Sequence, residues 1–275
     1  MNIQFGATVF FLQATDFSLV QQVARQFPWL EYVEFRGEYP FCFPNYTPER
    51  ELVACKNILA QSSLKSTLHS TMYDINLATL NPWLKDGNIA CYKKTIDLAS
   101  FLEAEIIVVH GGFIPDEFAG GPLKEHFREL AESHLTETLY ELAEYGAKNQ
   151  VKIAVENAPV EPRHPFIDSP ETHRNLMESI AHPNLGALVD IAHASLRGID
   201  IPAYLKHLRP YLFEIHAHNN RGQADDHLGL HHGVIDYSTI LSYPEIRRIP
   251  FIMEIHSYEE VIQTLNWLDN TLELS

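Results

Sequence analysis

The chain has 275 residues, of which 45% are hydrophobic, and its formal net charge of −16 arises from 36 acidic and 20 basic residues. This length suits one large domain or two small ones, and no apolar run approaches the roughly 18 residues of a membrane-spanning helix. A strongly acidic surface repels phosphate, so the charge disfavours a nucleic-acid partner. Three cysteines without metal-ligand spacing fit a reducing compartment. We therefore expect a soluble cytoplasmic protein with no membrane partner.

Eight short apolar runs alternate with amphipathic segments along the chain. The runs are rich in β-branched and aromatic residues, as strands buried on both faces should be. The first run follows no basic leader segment, so a strand is predicted there and not a signal peptide. Strands are predicted at 3–10, 32–36, 66–69, 105–110, 151–156, 185–190, 212–218 and 251–255. Helices are predicted at 17–26, 48–61, 85–104, 122–149, 170–180, 201–208, 237–241 and 258–272.

This alternation of strands and helices is typical of a (β/α)8 TIM barrel. No linker, low-complexity tract or charge block divides the chain, so residues 1–275 are expected to form a single domain. The proline-rich stretch 159–170 is predicted to be an active-site loop after the fifth strand. An open doubly wound sheet is the structural alternative, but the first strand has no glycine-rich turn after it.

Residue types that commonly bind metals recur at the carboxyl ends of the predicted strands, where barrel enzymes carry their active sites. Six successive strands and the loop after the seventh supply His69, His110, Glu156, Asp190, His193, His216, Asp225, His227 and Glu254. Any one of them alone could have a purely structural role, such as a helix-capping carboxylate or a hydrogen-bonded core histidine. Independent causes would rarely act at six strands in succession. Imidazole and carboxylate ligands suit Zn, Mn, Fe or Co, so the pattern predicts a metal site.

The remaining histidines carry weaker predictions. His218 lies on the same strand face as His216 and is a candidate neighbour of the site. His231 and His232 are candidates for the mouth of the barrel, and His256 could face either way. A surface position is predicted for the others, which are His126, His134, His164, His173, His182 and His207.

Seven short motifs occur in a fixed order: LHSTMYDINL, VVHGG, VENAP, LVDIAHA, HAHNN, DDHLGLHHGVID and FIMEI. Together they resemble the xylose isomerase-like TIM-barrel superfamily, which contains sugar and sugar-phosphate isomerases and epimerases as well as the abasic-site nuclease endonuclease IV. The resemblance runs from about His69 to Glu254. It is specific to the superfamily and not to one reaction.

The resemblance implies a ligand set for one to three divalent ions, with Zn, Mn, Co and Mg as candidates. The sugar epimerase type implies a central metal bound by Glu156, Asp190, His216 and Glu254. The nuclease type adds a second metal, which shares Glu156 with His69 and His110. It also adds a third metal, held by His193, Asp225 and His227. All nine positions carry the required residue types in this sequence.

The enzyme implied by this pattern is a metal-dependent isomerase or epimerase of carbohydrate metabolism, acting on a small sugar or sugar phosphate. Glu156 and Glu254 would transfer a proton next to a metal-polarised carbonyl, as base and acid. The expected substrate contacts are His193, Arg221, Tyr73 and Asn76. Barrels often pair through their outer helices, so a homo-oligomer is a candidate assembly.

The alternative enzyme is a zinc-dependent phosphodiesterase of the endonuclease IV type acting on abasic DNA. It predicts about three metals per chain and a basic groove. The segment after the second strand, EFRGEYPFCFPNY, is acidic and aromatic instead, and it favours the wall of a small-molecule pocket with Glu34 and Arg36 at the strand end. A non-catalytic sugar- or metal-binding barrel is a third hypothesis, which the complete ligand set disfavours.

Overall fold

Eight parallel strands close into a barrel in the computed structural model of the chain, which describes residues 3–9, 18–39, 41–160 and 163–274. The strands are β1 Gln4–Thr8, β2 Tyr32–Arg36, β3 Lys65–His69, β4 Ala104–His110, β5 Lys152–Glu156, β6 Leu185–Asp190, β7 Leu212–Ala217 and β8 Pro250–Met253. Each strand pairs with the next, and β1 pairs with β8, so that Gln4 lies opposite Pro250. The predicted (β/α)8 barrel is confirmed.

Helices surround the barrel and connect its strands. They are α1 Ser18–Gln26, α2 Glu49–Ala60, α3 Pro82–Phe101, α4 Asp116–Ala119, α5 Lys124–Lys148, α6 Pro170–Ile180, α7 Ile191–Leu196, α8 Ile201–Leu208, α9 Tyr237–Ile240 and α10 Tyr258–Leu272, with a 3-10 turn at Pro244–Ile246. No helix in the described parts of the chain is long and apolar enough to cross a membrane.

Several element boundaries differ from the predicted ones for identifiable reasons. Helix α3 begins at Pro82 and not at residue 85, because Asn81 accepts hydrogen bonds from the amides of Trp83 and Leu84. It ends at Phe101, so Ala104 belongs to β4. The predicted ends at residues 10 and 17 lie outside the described residues.

Helix α4, helix α7 and a two-stranded ribbon near the barrel mouth were not predicted. Helix α7 follows β6 without a loop, because the Asp190 carboxylate accepts the amide of His193 at 2.7 Å and caps the helix. A two-stranded antiparallel ribbon pairs Phe113–Ile114 with His164–Pro165. The proline-rich stretch 159–170 is therefore not wholly irregular, since one strand of this ribbon lies within it.

Side chains alternate along each barrel strand between the helices and the barrel axis. Outward side chains join the main core under the helices, including Ile107, Val155, Val189 and Phe251. Inward side chains on one side of the barrel form a separate small apolar cluster of Ile106, Val108, Ala154 and Leu188. Other inward positions are polar and fully buried, namely Thr8, Glu34, Thr67 and Glu214. The barrel interior is therefore divided between an apolar cluster and polar groups.

An irregularity in β7 completes the apolar cluster inside the barrel. The pairing of β7 with β6 shifts between Ala187 and Leu188, and Phe213 is left out of the register. Its ring packs against the interior cluster and covers Gly186. A Cβ at Gly186 would lie 2.4 Å from Phe213 Cγ, so a side chain there would displace the ring.

Candidate metal centre

Four side chains from four neighbouring strands meet at the carboxyl end of the barrel axis. Glu156 ends β5, Asp190 ends β6, His216 lies in β7 and Glu254 follows β8. One ligand atom from each lies within 4.8 Å of the others. His216 Nδ1 is 3.1 Å from Glu254 Oε2 and 3.5 Å from Glu156 Oε1. We call these four residues the central cluster.

The central cluster contains polar atoms that the described protein residues do not satisfy. Both Glu156 oxygens, Asp190 Oδ2 and His216 Nδ1 are buried without a hydrogen-bond partner among those residues. Buried carboxylate oxygens of this kind cost free energy unless a cation or a donor compensates them. Carboxylate and imidazole donors are those that Zn, Mn and Co bind in proteins. The residues present therefore fit a divalent cation.

Two histidines approach Glu156 from the neighbouring strands β3 and β4. His110 Nε2 is 3.1 Å and His69 Nε2 is 3.6 Å from Glu156 Oε2. His69 Nδ1 lies 2.9 Å from the Ser70 carbonyl, to which it donates, so its Nε2 is the nitrogen that faces Glu156 and His110. His69, His110 and Glu156 thus form a second group able to hold an ion, with Glu156 common to both groups.

The residues that the nuclease pattern assigns to a third metal also lie together. Asp225 Oδ2 is 3.1 Å from His193 Nε2 and 3.3 Å from His227 Nε2. His193 Nδ1 donates to the Asn157 carbonyl at 2.9 Å, which fixes its ring. His227 has a φ of 49°, uncommon for a residue with a Cβ, and its Nδ1 reaches the Glu254 carbonyl at 3.0 Å.

The loop that carries Asp225 and His227 is held by the side chain of Asn219. Its amide group donates to the carbonyls of Leu230 and Ile235 at 2.9 and 3.0 Å. Gly233 has a φ of 142°, and a Cβ there would lie 2.3 Å from Asn219 Oδ1. This glycine is required because the loop backbone passes so close to the Asn219 side chain.

His218 lies within the candidate site and not merely beside it. It is completely buried, and its Nε2 lies 3.2 Å from Asp190 Oδ2 and 3.4 Å from Asp225 Oδ1. It therefore joins the central cluster to the third group. Its position two residues after His216 was the available sequence signal, because alternate residues of a strand share a face.

His256 lines the cavity, whereas His231 packs against a helix. The His256 ring stacks on His227 with 3.8 Å between the ring centroids, and it lines the cavity above the cluster. His231 instead packs against Trp267 of α10, with 6.3 Å between the centroids.

Histidine contacts favour the ionised form of the carboxylates. Burial alone would raise the pKa of Glu156, but the close imidazoles of His110, His216 and His69 hold it well below its usual range. Burial likewise opposes ionisation of Glu254, and the charges of His216 and His227 lower its pKa below the usual range. Both carboxylates are therefore anionic at neutral pH and can act as ligands or bases.

The pKa values of the site imidazoles His216 and His227 are raised. Burial lowers the pKa of His216, but the charges of Glu34 and Glu254 outweigh it and raise the pKa well above its usual value. Burial also lowers the pKa of His227, but the nearby charges of Glu254 and Asp225 outweigh it and raise the pKa to about 9. In the metal-free protein, protons on these imidazoles thus balance the negative charge of the carboxylates. A divalent ion would displace those protons.

Two further carboxylates lie on the other side of the His216 ring. Glu34 Oε1 is 3.2 Å and Glu214 Oε1 is 3.6 Å from His216 Nε2. Burial and the neighbouring Glu34 charge raise the pKa of Glu214 well above its usual range. Glu34 was expected in the pocket wall, and that expectation was wrong, because it faces the barrel axis beneath His216 and is 0% exposed.

A cavity opens above the clusters at the carboxyl end of the barrel. It is lined by Arg36, Tyr73, His193, Glu254 and His256, among others. A second pocket continues from it past His110 and Glu156, and its far walls include Phe113 and Arg163. The cavity therefore joins carboxylates and imidazoles at its base to aromatic and cationic side chains at its sides, a lining that suits a small polar molecule.

The residues predicted to contact substrate have different surroundings. Tyr73 and His193 line the cavity, and the Tyr73 hydroxyl accepts a 2.7 Å hydrogen bond from Arg36. The Asn76 side chain instead bonds the Phe113 main chain, at 2.9 Å to its carbonyl and 3.1 Å from its amide, and so supports the pocket wall. Arg221 is exposed and pairs with Asp226 at 3.1 Å. All four remain predictions as substrate contacts.

The prediction of a surface position for His173 was wrong. This histidine of α6 is fully buried, donates from Nε2 to the Val155 carbonyl at 3.0 Å, and accepts from the Tyr204 hydroxyl at Nδ1 at 2.9 Å. Burial lowers its pKa to about 4. It attaches α6 to the strand that ends in Glu156.

A family profile and a curated relative match large parts of this chain. The profile of the family described as "Xylose isomerase-like TIM barrel" matches residues 29–271. The uncharacterized protein MJ1311 of Methanocaldococcus jannaschii is 28% identical over 176 residues, which are 63% of this chain and 58% of that protein. The match thus spans less than two thirds of that relative.

Solved structures of sugar epimerases share the fold. A D-tagatose 3-epimerase-like protein superposes with a TM-score of 0.81 at 22% identity, covering 99% of this chain and 98% of its own. D-psicose 3-epimerase from Clostridium cellulolyticum H10, solved with D-tagatose, superposes with a TM-score of 0.79 at 13% identity and covers 99% of both chains. At such identities the similarity establishes the fold alone.

Proposed function

Because this chain belongs to the xylose isomerase-like TIM barrel family, we propose that it is a divalent-metal-dependent isomerase or epimerase of small sugars or sugar phosphates. The observation that carries the proposal is the convergence of four buried metal-ligand side chains in the central cluster. The sugar epimerases among the proteins of the same fold support the substrate class.

The metal would be held by Glu156, Asp190, His216 and Glu254. A divalent ion there supplies Lewis acidity that polarises a carbonyl and orients an adjacent hydroxyl. The buried atoms of these residues that lack hydrogen-bond partners support this assignment. Zn, Mn, Co and Mg remain candidates, with one to three ions per chain.

Proton transfer would fall to Glu156 and Glu254. Both carboxylates approach His216 Nδ1, at 3.5 and 3.1 Å, from strands three positions apart around the barrel. One carboxylate accepts the proton from the carbon next to the carbonyl, and the other delivers a proton to the opposite face. Their lowered pKa values keep the accepting carboxylate ionised as a base, and the carboxylate that delivers the proton must first take that proton from solvent.

Substrate orientation would depend on the cavity walls. His193 and Tyr73 lie within reach of a molecule seated above the central cluster, and the aromatic ring of Phe113 borders the adjoining pocket. The central cluster itself is at most 6% exposed, so bulk water is largely kept from the reacting atoms.

The test is solvent-hydrogen exchange measured by NMR in deuterium oxide. The protein is reloaded separately with Mn, Co, Mg or Zn and incubated with a panel of ketoses and ketose phosphates. Deuterium is expected at the carbon next to the carbonyl together with the epimer or isomer, and a chelator should stop both. Absence of exchange with every sugar and every metal would contradict the proposal.

A zinc-dependent phosphodiesterase is the second candidate, because His193, His218 and His227 all surround Asp225 beside the central cluster. Such an enzyme uses several ions to activate water and stabilise a leaving oxygen. Elemental analysis of protein purified without chelator separates the two. About one ion per chain favours the epimerase, whereas about three zinc ions with cleavage of an abasic-site oligonucleotide would favour the nuclease. The net charge of −16 disfavours the latter.

A further inference from the structure

The His216 ring lies between two pairs of carboxylates. Its Nδ1 faces the central cluster, 3.1 Å from Glu254 Oε2 and 3.5 Å from Glu156 Oε1. Its Nε2 faces away from that cluster, 3.2 Å from Glu34 Oε1 and 3.6 Å from Glu214 Oε1. An imidazole that binds a cation through one nitrogen carries a hydrogen on the other. The ring therefore has to offer Nδ1 to the ion and a hydrogen from Nε2 to the carboxylates below.

We propose that Glu34 is a positioning residue of the metal centre, whose carboxylate accepts the Nε2 hydrogen of His216 and thereby fixes both the tautomer and the orientation of the ring. This inference rests on the metal centre of the proposed function and not on the identity of the sugar. A carboxylate behind a metal-binding histidine also makes the imidazole a stronger ligand. Neither the family profile nor the sequence motifs assign a role to Glu34.

Glu34 fits this role better than Glu214 does. The Thr67 hydroxyl donates to Glu34 Oε2 at 2.8 Å and so holds the carboxylate from β3, and the same oxygen lies in hydrogen-bonding geometry 3.4 Å from His216 Nε2. Glu34 and Thr67 are directly paired in the β2–β3 register. Glu34 Oε1 and both Glu214 oxygens have no hydrogen-bond partner among the described residues, so the two carboxylates differ at Glu34 Oε2. Glu214 is therefore not fixed as an acceptor in the way that Glu34 is.

The cost of burying Glu34 is a further argument for a specific role. Its side chain is 0% exposed and faces the barrel axis, where other inward positions carry apolar residues such as Val108 and Leu188. Replacing a buried charged group by an apolar one of similar volume is often neutral or stabilising. A carboxylate at this depth thus reduces stability unless it is compensated, and the contact with His216 supplies that compensation.

The experiment compares metal affinity in three variants by competition with a chromophoric chelator. Glu34→Met keeps the volume and removes the acceptor, and is expected to weaken binding about 10- to 100-fold. Glu34→Gln keeps an acceptor oxygen and should lose less. Glu38→Met is the matched control, because Glu38 is also a buried carboxylate but bonds Thr71 and the Met72 amide and not a ligand. It should leave metal affinity unchanged.

Thermal unfolding of each variant in chelator separates positioning from general destabilisation. A Glu34→Met protein that folds in chelator but binds metal weakly supports the inference. If it does not fold, Thr67→Val tests the same contact, since it removes the hydroxyl that holds Glu34, and a smaller loss of affinity is expected.

Several results would overturn the inference. Wild-type affinity in Glu34→Met would do so, as would an equal loss in Glu38→Met. A loss of one bound ion per chain, with the remaining affinity unchanged, would make Glu34 a ligand of a second ion with Glu214. Wild-type protein that binds no metal would overturn the inference and the metal centre together. Failure of the exchange assay with the affinity shift intact would contradict the proposed function alone.

Discussion

Among single residues, Glu156 contacts candidate ligands through both of its carboxylate oxygens. Its Oε2 faces His110 and its Oε1 faces His216, at 3.1 and 3.5 Å. It therefore belongs both to the central cluster and to the group formed with His69. A change at this position should affect binding of the ion and proton transfer together.

Glu156→Gln removes the charge and keeps the shape of the side chain. Loss of a general base typically costs about 10²- to 10⁴-fold, and weaker metal binding adds to this, so deuterium exchange should fall at least that far. The unfolding transition in chelator should remain cooperative. Exposed Glu125 of α5 gives the control Glu125→Gln, which should keep wild-type exchange. A fully active Glu156→Gln protein would exclude Glu156 as the base.

The sequence predicted which strand ends carry the candidate ligands that converge at the barrel axis, but not the depth of each side chain. Parity along β2 places both Glu34 and Arg36 on the inward face. Their depth depends on the stagger of the barrel, in which Arg36 is level with His69 whereas Glu34 is level with Thr67, two residues lower. The register with which two strands pair cannot be obtained from the residue pattern within either strand. For this reason the sequence did not predict the buried position of Glu34.

At the level of elements, helix α6 is attached to the barrel by a buried neutral histidine. The folded pKa of His173 is about 4, below the ordinary 6.5, because burial disfavours its charged form. Above pH 6.5 neither the folded nor the unfolded chain binds this proton. Between the two values only the unfolded chain binds it, so this group makes stability fall as the pH falls.

The prediction is that His173→Gln reduces the acid sensitivity of the fold. Between about pH 7.5 and about pH 5 the wild type should lose roughly 2 kcal/mol more unfolding free energy than the variant. Urea unfolding in chelator at both pH values measures this difference. The site histidines have raised pKa values and act in the opposite direction, but they are common to both proteins and cancel in the comparison. Equal pH dependence in the two proteins would contradict the assignment.

Strand β6 depends on the absence of a side chain at Gly186. Gly186→Ala would force the Phe213 ring out of the barrel interior, since its Cβ would lie 2.4 Å from the ring. We expect a loss of about 1–3 kcal/mol of unfolding free energy in urea. Gly87→Ala is the control, because nothing lies within 4 Å of that position on α3 and alanine should stabilise the helix by about 0.5–1 kcal/mol. A neutral Gly186→Ala variant would show that the ring can move freely.

Helices with a clear apolar spacing were predicted from the sequence, whereas helix α7 and the two-stranded ribbon were not. Helices α6, α8 and α10 have their predicted bounds, because each shows apolar residues at helical spacing between clear boundaries. Helix α7 has six residues, too few for a periodic signal. The ribbon of Phe113–Ile114 and His164–Pro165 has two residues per strand, and its partners are far apart in the sequence. Tertiary contacts alone define it.

For the whole molecule, the clustered carboxylates and imidazoles predict that stability depends on a bound divalent ion. A ligand that binds only the folded state adds about 2.7 kcal/mol at a hundredfold excess over its Kd, which corresponds to roughly 5–10 °C in Tm for a chain of this size. Thermal scans with added metal and with chelator should differ by that amount. The double variant Asp190→Asn, Glu254→Gln should show the same Tm in both conditions. A wild-type Tm that does not respond to chelator, with metal loss verified by elemental analysis, would argue against the site.

Closure of the barrel has a consequence for how the protein is made. The last pairing joins β1 to β8, in which Phe5 meets Phe251 across almost the whole sequence, and contacts so distant form slowly. A nascent chain emerges at about 5–20 residues per second, so the candidate ligands on β3 to β7 are synthesised well before β8. Glu254 comes directly after β8 and enters the centre only when that strand is inserted. A chain arrested before β8 would carry most of the candidate ligands but would lack Glu254, and we therefore expect it not to enclose an ion.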